Sequence, residues 1–200
     1  MTIIFFDAEE QKRQPDTRRI SCVSWYDEDL EEMHSVEDYE IDIFVTEADL
    51  AELLVGFNVF AYDFKLFENT QYPVTEARDK TLDFFKFLRD RVHDENLRLA
   101  GGLGLDALGK VNIGKGKIPL IAPPSELWEN GEHEIVIKYN QQDVYLLRQL
   151  FWKAMTEEEL LVSENEKDFE EGEGIPLDCS ELSGLVEYLQ DNFYNNLVGW

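Results

Sequence analysis

The chain has 200 residues, 44% of them apolar, which is enough for one sizeable core and makes one domain the default. Forty-three acids against eighteen bases give a formal net charge of −25, which argues against phosphate binding over the whole surface, because such binding is driven by Lys and Arg. No stretch approaches the ~20 apolar residues of a membrane span, no signal or lipidation segment is legible, and Cys22 and Cys179 stand alone without CxxC or zinc spacing. These absences lead us to expect a cytoplasmic protein with reduced cysteines, no membrane and no structural zinc.

In chain order, Thr2-Ile3-Ile4-Phe5-Phe6 is a short apolar run with β-branched and aromatic members, the pattern of a fully buried strand. Residues 20–26 and 39–45 alternate at period two and predict two half-buried strands, so the first three strands form an antiparallel meander. Thr46 is positioned as an N-cap for a short helix over 47–54. Residues 55–60 predict a second buried strand, with Asp63 just beyond its end at the start of a helix. Thr81–Asp83 predicts a last short strand, followed by a helix over 84–92. The Gly- and Lys-rich stretch 101–121 predicts a short helix and then a mobile loop, and it lacks the G-x-x-x-x-G-K-[ST] spacing of a phosphate loop. Pro123-Pro124-Ser125-Glu126 starts a turn of helix, and 134–155 predicts the longest helix. Residues 156–174 read as an acidic connector. In 175–200, Leu182, Leu185, Val186, Leu189 and Phe193 make one apolar helical face that docks on the domain or on a protein partner.

Three local patterns carry chemistry. Asp7-Ala8-Glu9 ends the first apolar run, so its two carboxylates leave one face of a strand end. Asn58-Val59-Phe60-Ala61-Tyr62-Asp63 follows the second apolar run. Tyr139-Asn140-Gln141-Gln142-Asp143 puts Tyr139 and Asp143 at i and i+4 on one helical face. Each pattern alone is ordinary: strand-end polarity, a turn, a surface hydrogen bond. Together they could converge, since ligands gather at the C-terminal edge of sheets in α/β folds.

In this order and spacing, D-x-E, N-x-x-x-[FY]-D and Y-x-x-x-D resemble the three exonuclease motifs of the DEDD-type 3′–5′ exonucleases. That family lies within the ribonuclease H-like superfamily and includes polymerase proofreading domains. The resemblance covers roughly residues 1–155, the expected exonuclease domain. Tyr139 is similar to the tyrosine subclass, because the histidine subclass has His where Lys138 stands. The resemblance implies an α/β fold with a central mixed five-stranded sheet flanked by helices. It also implies hydrolysis of single-stranded DNA or RNA from the 3′ end, with two Mg²⁺ or Mn²⁺ ions as cofactors.

The resemblance assigns catalysis to Asp7, Glu9, Asp63, Tyr139 and Asp143, with the four acids as metal ligands. Oxygen-only ligands suit Mg²⁺ or Mn²⁺ better than zinc. Asp7 would bridge both ions, Glu9 and Asp143 would complete one, and Asp63 would hold the other. Tyr139 would orient the attacking water, and Phe57 and Asn58 would meet the terminal nucleotide. The charge map adds Lys110, Lys115 and Lys117 as substrate contacts. Residues 27–53 carry twelve acids and no base and residues 155–200 thirteen acids and one base, so the remainder is nearly neutral and can attract a polyanion locally. Lys12, Arg13, Arg18 and Arg19 form a second basic stretch. The acid excess also suits a protein kept soluble at high salt. The competing class is a catalytically silent acidic interaction or accessory domain of the same fold.

Overall fold

The computed structural model describes residues 2–14, 17–70, 74–97, 102–163 and 174–198. The chain runs β1 (Ile3–Gln14), β2 (Thr17–Asp27), β3 (Glu32–Glu37), a 3-10 turn (Asp38–Glu40), α1 (Ile41–Leu50) and β4 (Leu53–Gly56). It continues through α2 (Asp63–Phe67), α3 (Thr75–Asp79), β5 (Thr81–Asp83), α4 (Phe84–Asp94), α5 (Leu105–Ile113) and α6 (Pro124–Glu129). The last elements are α7 (His133–Glu157), β6 (Glu159–Val162), β7 (Ile175–Asp178) and α8 (Leu182–Val198). The main sheet has the order β3-β2-β1-β4-β5. β1, β2 and β3 pair antiparallel, and β4 and β5 add parallel strands on the other side of β1. This is the expected mixed five-stranded α/β sheet flanked by helices.

Alternation along β1 explains the layering. Ile3 and Phe5 face one cluster with Val144, Leu147, Leu150 and Phe151 of α7, whereas Ile4 and Phe6 face another with Phe44 of α1 and Phe64 and Phe67 of α2. Both faces of β1 are therefore buried, which is why its sequence is a continuous apolar run rather than an alternating one. Phe5 meets Phe151 edge-on at 5.2 Å between ring centres. Burying each such side chain contributes ~1.5–3 kcal/mol, so α7 is anchored to the sheet centre. Leu160, Val162, Leu177, Leu182 and Val186 join the same cluster, which brings β6, β7 and the start of α8 against it.

Several local expectations are corrected. The third strand of the meander is β3 at 32–37, and residues 39–45 form the 3-10 turn and the first half of α1. Ile41, Phe44 and Ala48 are buried at i, i+3 and i+7, and this helical periodicity overrides the period-two alternation; Tyr39, expected in a strand, is 71% exposed. Thr46 lies inside α1, its hydroxyl donating to the Asp42 carbonyl four residues back, rather than at a helix start. Leu53 and Leu54, expected at the end of that helix, belong to β4. β4 itself ends at Gly56, so residues 57–60 form a turn rather than strand. The stretch 156–174, read as an acidic connector, contains β6, while 164–173 and the Phe193 side chain lie outside the described residues.

Candidate metal centre

Asp7 and Glu9 were expected where β1 ends, yet β1 runs on to Gln14. What ends there is the neighbour. Parallel pairing with β4 stops at Phe5 opposite Val55, while antiparallel pairing with β2 continues past Asp7 opposite Ser24 and Glu9 opposite Cys22. Both carboxylates thus project beyond the C-terminal end of β4, on the face of β1 that α7 covers. The register with β2 slips directly after Glu9, because Glu10 pairs with Ile20. Ser21 is the extra residue, and its hydroxyl donates to the Glu9 carbonyl at 3.0 Å. Bulges of this kind bend a strand and re-aim its side chains.

Asp63 is the first residue of α2 and is buried. Its Oδ1 accepts the Ala8 N–H at 2.8 Å, which ties it to the β1 backbone at the residue between Asp7 and Glu9. The turn that delivers it is held by Asp83, a residue the motif reading passed over. Buried at the end of β5, Asp83 accepts the N–H groups of Asn58 (2.9 Å), Phe60 (3.1 Å) and, as N-cap of α4, Lys86 (3.1 Å). Asn58 turns the chain with φ of 64°, a left-handed conformation that Asn tolerates better than most residues. Phe57 packs edge-on against Phe85, with ring centres 5.4 Å apart, at the rim of the core.

From the opposite side α7 supplies Tyr139, Asn140 and Asp143. Gln141 fixes the helix to the sheet by donating to Ser35 at 2.9 Å, and Arg148 does so through a two-pronged pair with Glu28 at 2.6 and 2.7 Å. Among the described residues, Asp7, Glu9 and Asp143 each offer a carboxylate oxygen within 4.8 Å of the others. Asp63 is outside that trio but close enough to raise the Asp7 pKa by repulsion. Asn140, fully buried, donates its amide to Asp7 Oδ2 at 2.5 Å, a contact absent from the motif reading.

The three lysines separate. Lys117 reaches into the carboxylates, its ammonium 2.6 Å from Asp143 Oδ2 and 3.3 Å from the Tyr139 hydroxyl. Lys110 pairs with Asp106 at 2.9 Å, and Lys115 is exposed. The segment behind Lys117, expected as a mobile loop, is tied down. Gly114 caps α5 with φ of 69°, the Lys115 N–H donates to Gly109 O at 3.2 Å, and the Lys117 N–H donates to Asp106 Oδ1 at 2.8 Å. A side chain at Gly109 would meet the Lys115 carbonyl at 2.3 Å, so this glycine is what lets the segment lie against α5. Of the second basic stretch, the side chains of Lys12, Arg13 and Arg18 lie outside the described residues.

The electrostatics show an overloaded site. Burial, and then repulsion from Asp63, Glu9 and Asp143, raises the Asp7 carboxyl well above its ordinary value. Burial and then the neighbouring Asp143 push Glu9 up to about 8. Burial lifts Asp63 to about 7, against the pull of the Ala8 N–H. Burial also raises Asp143, with Lys117 pulling the other way. For Lys117 burial disfavours the charge, but Asp143 and Asp7 outweigh it and hold the ammonium above its usual range. Burial and then Asp143 raise the Tyr139 phenol to about 12. One lysine against four carboxylates leaves unmatched negative charge, and Asp143 Oδ1 is buried with no hydrogen-bond partner. A divalent cation fits this donor set: it would satisfy the orphaned oxygen and neutralise the repulsion.

No protein-family model matches the chain, and no curated protein matches it either. Among solved structures it is similar to the family B DNA polymerase of the hyperthermophilic archaeon Pyrobaculum calidifontis. The match has a TM-score of 0.51 and 15% identity, and covers 78% of this chain and 24% of the polymerase chain. At that identity the likeness is one of fold. It agrees with an α/β fold built on a mixed five-stranded sheet flanked by helices. Among the described residues no helix is long and apolar enough to cross a membrane.

Proposed function

We propose that the chain is a metal-dependent 3′–5′ exonuclease acting on single-stranded nucleic acid. The observation that carries this is the convergence of Asp7 and Glu9 from β1 with Asp143 from α7, their oxygens within 4.8 Å, beside Asp63 and a tyrosine hydroxyl. Two Mg²⁺ or Mn²⁺ ions held by Asp7, Glu9, Asp63 and Asp143 would supply a nucleophile at neutral pH and stabilise the leaving oxygen of an in-line displacement. The trio Asp7, Glu9 and Asp143 suits one ion. Asp7 with Asp63 suits the other.

The remaining roles belong to the protein's own groups. Tyr139, with its phenol at about 12, keeps its proton at neutral pH, so its hydroxyl positions a water by hydrogen bonding rather than acting as a bulk base. Lys117, fixed through Asp106, presents a full positive charge beside the carboxylates, where a scissile phosphate would gather negative charge. Phe57 and Asn58, on the turn that leads to Asp63, would contact the terminal nucleotide. Among Lys110, Lys115 and Lys117, the last has the geometry for direct substrate contact.

The test is hydrolysis of a labelled single strand with Mn²⁺ and with chelator, by wild type and by Asp143→Asn. The reading expects cleavage by wild type with metal alone. Cleavage that survives chelation, or an equally active variant, contradicts it.

A further inference from the structure

Asn140 is the fully buried amide in this site, and half of it is unsatisfied. Its Nδ2 donates to Asp7 Oδ2 at 2.5 Å, whereas its Oδ1 is buried with no partner. Apart from Asp143, the other buried members of α7 are apolar, including Val136, Val144 and Leu147. As a packing choice this is poor, since a half-satisfied buried amide costs more than an apolar side chain of the same volume. As a positioning choice it has one clear consequence. Asp7 is also repelled by Asp63, Glu9 and Asp143, so without a donor its carboxylate would rotate or draw away from them. An N–H fixed by a 25-residue helix holds Oδ2 in place and leaves the other Asp7 oxygen as the free ligand edge.

We infer that Asn140 is a positioning residue for the metal centre: its amide N–H fixes the orientation of the Asp7 carboxylate, the ligand that both ions would share. The inference rests on the reading of Asp7, Glu9, Asp63 and Asp143 as metal ligands. Groups that orient a ligand typically change metal affinity by ~10–100-fold when removed. With Asp7 ionised, as a metal ligand must be, the donating orientation is the attractive one, because turning the amide over would set Oδ1 against Asp7 Oδ2.

The experiment is calorimetric titration of Mn²⁺, without substrate, into wild type, Asn140→Leu, Asn140→Ala, Asp7→Ala and Val144→Ala. The leucine keeps the volume and removes the donor; the alanine covers the case in which leucine does not fit. Val144→Ala is a packing control one turn along α7, at a buried residue outside the carboxylate group. Thermal melts of the metal-free proteins run alongside. The inference expects a ~10–100-fold weaker Mn²⁺ affinity in both Asn140 variants, whatever their melting temperatures, and near wild-type affinity in Val144→Ala. Asn140 variants that bind Mn²⁺ like wild type, or no worse than Val144→Ala, overturn it while leaving the metal centre intact. A wild type that binds no more Mn²⁺ than Asp7→Ala overturns the underlying reading and this inference with it.

Discussion

The Lys117 ammonium lies 2.6 Å from Oδ2 of Asp143, so the strongest local cation in the site is a side chain of the protein itself. This lysine offsets part of the carboxylate repulsion and competes with a metal ion for Asp143. Lys117→Met is therefore expected to bind Mn²⁺ more tightly while turning over more slowly, by ~10²–10³ if its charge stabilises the transition state as a single preorganised donor does. Calorimetry and single-turnover kinetics on the same protein separate the two effects. A parallel loss of metal affinity and rate would make Lys117 a structural pin instead.

The same geometry divides the lysines as substrate contacts. Oligonucleotide binding by Lys117→Met should show a log–log salt slope shallower by ~0.7 for one lost phosphate contact. Lys110→Met should keep the wild-type slope, because Lys110 is already paired with Asp106. Equal slopes for wild type and Lys117→Met would place the strand elsewhere.

Tyr139→Phe deletes a hydroxyl and preserves the ring. Turnover should fall by ~10²–10⁴ with folding and Mn²⁺ binding retained, as for a lost positioning or acid–base group. An unchanged rate would make Tyr139 a packing residue of α7.

Acidity acts on the metal-free fold with a definite sign. Glu9 has a folded pKa of about 8 against an ordinary 4.5, raised by burial and then by Asp143, so the folded state holds its proton more tightly than the unfolded chain does. The stability this contributes is complete below the unfolded value and is lost as pH rises through about 8. Asp63, raised to about 7, acts in the same direction. Metal-free protein should therefore melt at a lower temperature at pH 8 than at pH 5.5. Glu9→Gln should flatten that slope, and saturating Mn²⁺ should reverse it, since the ion binds the deprotonated site and adds stability by mass action. A metal-free melting temperature that rises from pH 5.5 to pH 8 would contradict the account.

Asp83→Ala tests the support of the turn. Three backbone N–H groups lose a charged acceptor. With ~1.5–3 kcal/mol for a hydrogen bond to a charged group and partial replacement by water, the expected loss is ~2–5 kcal/mol. Because Asn58 and Asp63 ride on that turn, KM should rise beyond what the melting temperature explains. Chemical denaturation together with steady-state kinetics checks both.

The three patterns were legible because each is local: Asp7 and Glu9 share a face by strand alternation, and Tyr139 and Asp143 by helical spacing. The buried strand 3–6 and the helix over 134–155 were legible from unbroken apolar runs and a long 3.6-residue period. Other features depended on partners distant in sequence. The end of β4, rather than of β1, determines where the carboxylates emerge, and no periodicity in 3–14 marks it. The segment 39–45 carries both periods, and packing of Ile41 and Phe44 on the sheet decides for helix. Asn140 sat inside a motif whose outer residues drew the reading, and its partner is 133 residues away. Asp83 looked like a strand end because its three partners are backbone groups, which leave no trace in side-chain identity.

The most direct test of the central claim uses one single-stranded oligonucleotide labelled at its 3′ end or at its 5′ end, digested with Mn²⁺ by wild type and by Asp7→Ala. The account predicts immediate release of labelled mononucleotide from the 3′-labelled strand and a progressively shortening ladder from the 5′-labelled strand. It also predicts neither product with Asp7→Ala. Mononucleotide released first from the 5′ label, internal cuts in both strands, or an active Asp7→Ala protein would contradict it.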